Sequence, residues 1–326
     1  MRIFKKLATA ALLAAPMAVA VTAAQAASWP EQSVRWIVPY PAGGGSDFLA
    51  RTVSTGLAPL VSQPVVVENK PGGNTSIAAA DVARATPNGH VMMSADNGTL
   101  VFNSALYKSL SYDPVKDLTP VTLMGRFPMI MVVDPNAGLN SVQDVIKRAK
   151  EDTAGLNFAS AGAGSPHHLA MELFKTELGL KMTHIPYKGA APSLTDVAGG
   201  QVPVMMVDLA AGAGFIKGGK VKPLAVANPT RLPQLPDVPT FAELGYPSVV
   251  ASADVGVVTT AGTPVDVVQA MNQKIVQAVK TPEINQKLID FGIQPVGNSP
   301  AEYAELLKSE TQRWHKLIKD LGIKLD

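Results

Sequence analysis

Two glycine-rich turns hold the residues best suited to chemistry. Tyr40-Pro41-Ala42-Gly43-Gly44-Gly45-Ser46-Asp47 and Ser160-Ala161-Gly162-Ala163-Gly164-Ser165-Pro166-His167-His168 each close an apolar run and precede apolar residues at helical spacing. A helix start leaves backbone N–H groups unpaired and carries about half a positive charge, so a carboxylate or phosphate rests there without a cationic side chain. Neither turn contains Lys or Arg. Gly43, Gly44 and Gly45 carry no Cβ to hold a ligand off the backbone. Two such cradles, far apart in the chain, predict one small anion gripped from two sides.

The side chains around the cradles each admit a structural reading beside a functional one. Ser46 and Asp47 are suited to capping the helix after the first turn, and Arg51 stands one helical turn beyond Asp47, where the two can pair. Asp47 is therefore a ligand contact or a cap. In the second turn Ser165 is placed as N-cap and Pro166 as first helical residue. The functional expectation there rests on the N–H groups between Ser160 and Ser165, including those of Ala161, Gly162 and Gly164, and on the two serine hydroxyls. His168 either donates into a cleft or packs as a satisfied histidine. His167 and His168 point about 100° apart on a helix and do not chelate one ion from the same face, so no metal is expected. Asp208 ends an apolar run and serves either as N-cap of residues 209–217 or as a partner for a ligand's donor group. Asn97, Thr99 and Asn103 read the far end of a ligand or cap a helix, and Tyr40 and Tyr187 wall the cleft.

An exported hydrolase using Ser165, His168 and Asp208 is the rival reading. Ser165 is better employed as a cap, and no Gly-x-Ser-x-Gly elbow follows a strand. The Gly43 turn also lacks the Lys-Ser or Lys-Thr pair of a phosphate-binding P-loop.

Charge and composition narrow the class. Arg2, Lys5 and Lys6 precede an uncharged run over residues 7–21, and Ala24-Gln25-Ala26 suits signal cleavage after Ala26. The run is shorter than the roughly 20 apolar residues of a membrane span. Taking the three leader cations from the 28 basic residues leaves 25 against 26 acidic ones, so the mature chain is nearly neutral. No basic cluster interleaved with aromatics offers a footprint for nucleic acid. With no cysteine, neither a disulfide nor a lipid-attached N-terminus is expected. The reading is a free, soluble exported protein, and its length favours two domains.

Strands and helices must alternate to position these turns. Val34-Arg35-Trp36-Ile37-Val38 reads as a strand, followed by a helix carrying Leu49, Val53, Leu57 and Leu60, a strand at 65–67, a helix at 76–85 and a strand at 90–94. Such alternation builds a parallel sheet covered on both faces, with ligands beyond the carboxyl ends of its strands. Residues 120–133 are too long an apolar stretch for one ordinary strand, contain Gly125 and Pro128, and are suited to running from one domain into the next. The alternation restarts with strands at 155–160, 184–187, 202–207 and 222–227 and helices at 169–178 and 193–199. A return crossing at 254–258 and helices at 264–280, 282–291 and 300–321 complete the first domain.

Several segments together resemble the Bug family, the solute-binding receptors of tripartite tricarboxylate transporters, over essentially the whole mature length. They are residues 38–47, Val67-Glu68-Asn69-Lys70-Pro71-Gly72-Gly73, residues 159–169, Pro186-Tyr187-Lys188-Gly189-Ala190, Leu235-Pro236-Asp237-Val238-Pro239-Thr240-Phe241 and Ala261-Gly262-Thr263-Pro264. Their order and spacing carry the resemblance. It implies an α/β, two-domain periplasmic-binding-protein fold of the type II, Venus-flytrap kind, with residues 27–125 plus 251–326 as one domain and 126–250 as the other. It implies a hinge near 123–131 and 250–257, gripping loops at 40–47 and 160–168, and contacts to a small carboxylate often made through water. A monomer without cofactor or catalysis is expected. Its implied partner is an inner-membrane tripartite tricarboxylate permease or a sensor protein.

Overall fold

The computed structural model describes residues 29–152 and 155–325. The expected leader and its cleavage point lie outside them. β1 (Val34–Val38) buries every side chain except Arg35, as a strand covered on both faces must. It leads through the first glycine turn into α1 (Gly45–Leu57), whose Leu49, Ala50, Val53 and Leu57 form one buried stripe. β2 (Val65–Asn69), α2 (Ser76–Ala83) and β3 (Val91–Asp96) follow, and a π-helical turn over residues 98–102 precedes α3 (Asn103–Leu106).

β4 (Leu118–Val133) is one continuous strand of 16 residues, which corrects the expectation that this stretch exceeds a single strand. It runs long because it serves two sets of neighbours. Residues 118–128 pair antiparallel with β9 (Ser252–Thr260), from Leu118 opposite Thr260 to Pro128 opposite Ser252. From Met129 onward it pairs instead with β7 (Val204–Asp208) and β8 (Lys222–Val226). Pro128 sits at the changeover, where a missing N–H disturbs the ladder least. Gly125 is required by close approach: a Cβ there would lie 2.7 Å from Ile293 and 3.2 Å from the Gln294 carbonyl of β10 (Gln294–Pro295), which pairs with β4.

Beyond β4 come α4 (Val142–Glu151), β5 (Leu156–Ser160), α5 (Pro166–Leu178), β6 (Met182–Pro186), α6 (Ala190–Ala198) and α7 (Leu209–Lys217), the last following β7 directly. α8 (Val265–Lys280), α9 (Pro282–Asp290) and α10 (Pro300–Leu321) close the chain. The strands form one mixed sheet in the order β2-β1-β3-β9-β4-β7-β5-β6, with β8 and β10 also on β4. Its two wings are parallel, and the strands at its centre are antiparallel. The first half is thus β2, β1, β3 and β9 with the start of β4, and the second is the end of β4 with β7, β8, β5 and β6.

One buried apolar cluster runs beneath both halves, from Ile37 and Met93 to Phe158, Phe174 and Phe241. The opposite face carries two separate clusters. Trp36, Leu49 and Val53 pack with α8 and α9 in the first half, and Leu194, Val197 and Met205 pack with Leu209 in the second.

Two glycines test this packing in opposite directions. At Gly256 in β9 a Cβ would overlap the Tyr303 hydroxyl and lie 2.6 Å from the Thr122 carbonyl. Gly256→Ala is expected to cost about 1–3 kcal/mol through overpacking. Gly214, exposed within α7, has nothing within 4 Å of its would-be Cβ, so Gly214→Ala is expected to stabilise by about 0.5–1 kcal/mol. Urea unfolding of both variants checks the pair.

Candidate functional site

The first glycine turn begins α1 earlier than the expected caps allow. Gly44 is the N-cap and offers no side chain, so Ser46 and Asp47 are the second and third helical residues rather than caps. Asp47 instead reaches backward. Its carboxylate accepts from Gly43 N–H (2.9 Å), Arg51 Nε (2.9 Å) and Asn69 Nδ2 (2.8 Å). Burial works against its charge, but these donors outweigh burial and hold the carboxyl below its ordinary range. Ala42, Gly43 and Gly44 remain exposed. The Ser46 hydroxyl oxygen is shut away from solvent with no partner among the described residues.

The second turn is built as the sequence leads one to expect at its helix start. Ser165 caps α5, accepting from His168 N–H at 3.2 Å and donating to the Gly162 carbonyl at 2.7 Å, with Pro166 as first helical residue. Ser160 Oγ donates to the Gly162 carbonyl at 3.0 Å and accepts from Gly162 N–H at 3.1 Å, while the Ala161 carbonyl accepts from Gly189 N–H. These bonds shape a tight loop. His168 is 4% exposed and anchors it, because its Nδ1 accepts from Gly164 N–H at 3.1 Å.

Beneath the turn, three rings stack. The His168 and His184 ring centres are 3.8 Å apart at 13°, and Phe158 lies 5.0 Å beyond His184. Ser160 Oγ stands 2.6 Å from His184 Nε2. Burial, and then the neighbouring His168, lower the His184 pKa to about 4.

The two turns meet the same seam, each touching the opposite half. A Cβ on Gly45 would lie 3.0 Å from Phe127 and 3.5 Å from Ala210 at the start of α7. A Cβ on Gly164 would lie 2.7 Å from Leu106, 2.8 Å from Leu325 and 3.7 Å from Asn74. The link between them is Asp208. It caps α7, accepting from Ala211 N–H at 3.0 Å, and its other oxygen is 2.9 Å from His167 Nε2. Burial opposes the Asp208 charge, but His167 and the helix N–H prevail and keep the carboxyl below its usual range.

Other expected site residues spend polar atoms on protein partners. The Tyr40 hydroxyl donates to Asp96 Oδ2 at 2.5 Å, and the Tyr187 hydroxyl donates to Asp196 at 2.6 Å. Thr99, fully buried, donates its N–H to Asp96 and shares its hydroxyl with Asp96 and Thr75. Asn103 bonds both ways with Asn74. Asn97, 3% exposed, donates Nδ2 to the Ser252 carbonyl at 2.8 Å and leaves Oδ1 buried without a partner among the described residues.

The hydrolase triad does not assemble. The Ser165 hydroxyl faces Gly162 and the His168 backbone, the His168 ring faces Gly164, and Asp208 holds His167 instead. No base is therefore positioned to activate Ser165. Two surface cavities, of about 620 and 460 Å³, lie away from both turns, one beside Tyr107 and His315 and the other beside Trp29 and His90.

Sequence reasoning missed His167 as the partner of Asp208, Asp96 as the hub beneath Tyr40, and the turn at Asn74 and Thr75. These last two residues hold left-handed backbone angles, φ 46° and 76°, strained for a β-branched threonine. The glycine pair before them was the available signal.

The chain matches the family model described as the tripartite tricarboxylate transporter family receptor over residues 49–323. It is similar to the protein BugT of Bordetella pertussis, 31% identical over 299 residues that cover 91% of this chain and 92% of that one. A solved R. palustris protein with adipate is 34% identical with a TM-score of 0.83, covering 91% of this chain and all of that one. MatC from Rhodopseudomonas palustris with bound malate is 30% identical with a TM-score of 0.79, covering 89% of this chain and all of that one.

The stacked histidines predict an acid response. His184 is held neutral in the fold, with a pKa of about 4 against roughly 6.5 in an unfolded chain. Between those values the unfolded state binds more protons, so stability falls as pH drops from about 6.5 to about 4 and levels off below. Urea midpoints across that window are expected to be flatter for His184→Gln than for the parent protein. Equal slopes would remove His184 from the acid response.

Proposed function

The chain belongs to the tripartite tricarboxylate transporter receptor family, and from that premise we propose that its two glycine turns close on a small carboxylate in the seam between the sheet halves. The family and its structural relatives are binding receptors rather than enzymes. The observation carrying the proposal is reciprocal contact: Gly45 of the first half meets Ala210 of the second, and Gly164 of the second meets Leu106 of the first. One guest between the turns faces two helix starts at once. Each contributes about 0.3–1 kcal/mol, rising to ~2 when partly buried, so affinity requires closure with water excluded. Adipate and malate in the two similar structures support a carboxylate as the class of guest.

Closure, in this reading, is a hinge motion of residues 27–125 plus 251–326 against 126–250. The crossing segments at 123–131 and 250–257 are the stretches it bends. β4 and β9 run through both, and Arg126 and Asp254 pair there at 3.3 Å. Export with cleavage after Ala26 delivers the receptor to the periplasm, where an inner-membrane permease or a sensor reads the closed form. Among the described residues no helix is long and apolar enough to cross a membrane.

A thermal-shift screen of small carboxylates, phosphates and sugars tests the proposal. A carboxylate at 100 times its dissociation constant is expected to add ~2.7 kcal/mol of stability. Ser46→Ala, which removes the unpartnered hydroxyl, is expected to weaken that carboxylate about tenfold with little change in the ligand-free protein. Stabilisation by phosphates or sugars but by no carboxylate would make the proposed guest wrong.

A further inference from the structure

Three side-chain atoms at the seam are buried without a partner among the described residues: Ser46 Oγ, Asn97 Oδ1 and His167 Nδ1. Two other such atoms, His90 Nδ1 and Tyr303 Oη, lie elsewhere, His90 beside the 460 Å³ cavity and Tyr303 against Gly256 in the core. The seam atoms share a neighbourhood through their contacts. Ser46 follows Gly45, which meets Phe127 and Ala210. Asn97 is bonded to Ser252, the residue opposite Pro128. His167 is bonded to Asp208, two residues before Ala210.

Their chemistry has a definite sense. The Asn97 amide is oriented by a carbonyl: Nδ2 donates to Ser252, and a flipped amide would set two oxygens together. Oδ1 is therefore an acceptor and nothing else. In His167, Nε2 faces a carboxylate that only accepts, so Nε2 carries a hydrogen, and in the ring form with a single hydrogen Nδ1 is an acceptor. Ser46 both donates and accepts. The helix starts supply donors to an anion, whereas Asn97 and His167 supply acceptors. One residue before Asn97, the Asp96 carboxylate is bonded by the neutral donors Tyr40 and Thr99. A guest whose polar atoms are all acceptors would leave Asn97 Oδ1 unpaired, at a cost a buried polar atom makes large.

We propose that the guest is a carboxylate that also bears a hydrogen-bond donor, a hydroxyl or an ammonium group, received by Asn97 Oδ1 from the first half and His167 Nδ1 from the second. This rests on the reading of the seam as the carboxylate site and narrows it. The two acceptors come from opposite halves, so a donor on the guest also rewards closure.

Calorimetric titration of matched acids tests the inference. The series are succinate, malate and aspartate; glutarate, 2-hydroxyglutarate and glutamate; and propionate, lactate and alanine. In at least one series a donor-bearing member is expected to bind ten times or more tightly than the unsubstituted acid. The hydroxyl and ammonium arms identify which donor is used. Asn97→Ala and His167→Phe are expected to bring that ratio to within about threefold, chiefly by weakening the donor-bearing acid. The ratios in the unaltered protein stand by themselves should either variant fold poorly. If unsubstituted acids bind as tightly as their partners in every series, this inference is overturned and the carboxylate site survives. If no acid in any series binds, the reading of the seam itself is lost.

Discussion

A strand has only two edges, and β4 uses both edges twice along its length. Up to Pro128 it is bonded to β9 and β10; beyond it, to β7 and β8. The two halves of the sheet therefore share a backbone at one place, and everything that meets there is set by that geometry. Phe127, immediately before the changeover, is the residue against which Gly45 packs. Asp208, immediately across from Met129, caps α7 and holds His167. α7 starts at the seam because β7 ends opposite Met129, and the first glycine turn and the start of α5 reach it through Gly45 beside Ala210 and His167 beside Asp208.

Negative side chains near this seam are held by neutral donors as well as by charged ones. Asp47 takes one bond from a glycine N–H and one from an asparagine, with Arg51 alongside. Asp96 takes tyrosine, threonine and backbone donors. Asp208 takes a helix N–H and a histidine. These carboxylates are turned to tie loops in place. With 28 basic and 26 acidic residues the chain as a whole is nearly balanced in charge, and the strength of oriented dipoles depends on water being excluded.

Much of the fold was legible in the sequence. β1 spans the residues its β-rich run marked, and α8, α9 and α10 begin and end within a few residues of their apolar periodicity. α4 went unread although Ser141 caps it and Val142, Val145 and Ala149 share a face; its exposed face is strongly charged and its apolar stripe narrow. Residues 118–133 were misjudged in length because a strand's usual limit assumes one set of neighbours. In the site, Ser165 was recognised as a cap and Asp208 as either a cap or a ligand partner, and the two turns were placed at helix starts. The partners of Tyr40, Tyr187, His168 and Asn97 were not.

What the sequence alone determined was local: which segments are helix or strand, where caps and glycines stand, and that two helix starts carry no cation. Such properties depend on residues within a turn or two, so spacing reveals them. Tertiary structure decided which polar atoms are consumed and which are left over. Asn97 reaches Ser252, His167 reaches Asp208, and Gly164 lies against Leu325. Those pairings join residues distant in the chain, and only the assembled sheet with its packed helices brings them within range.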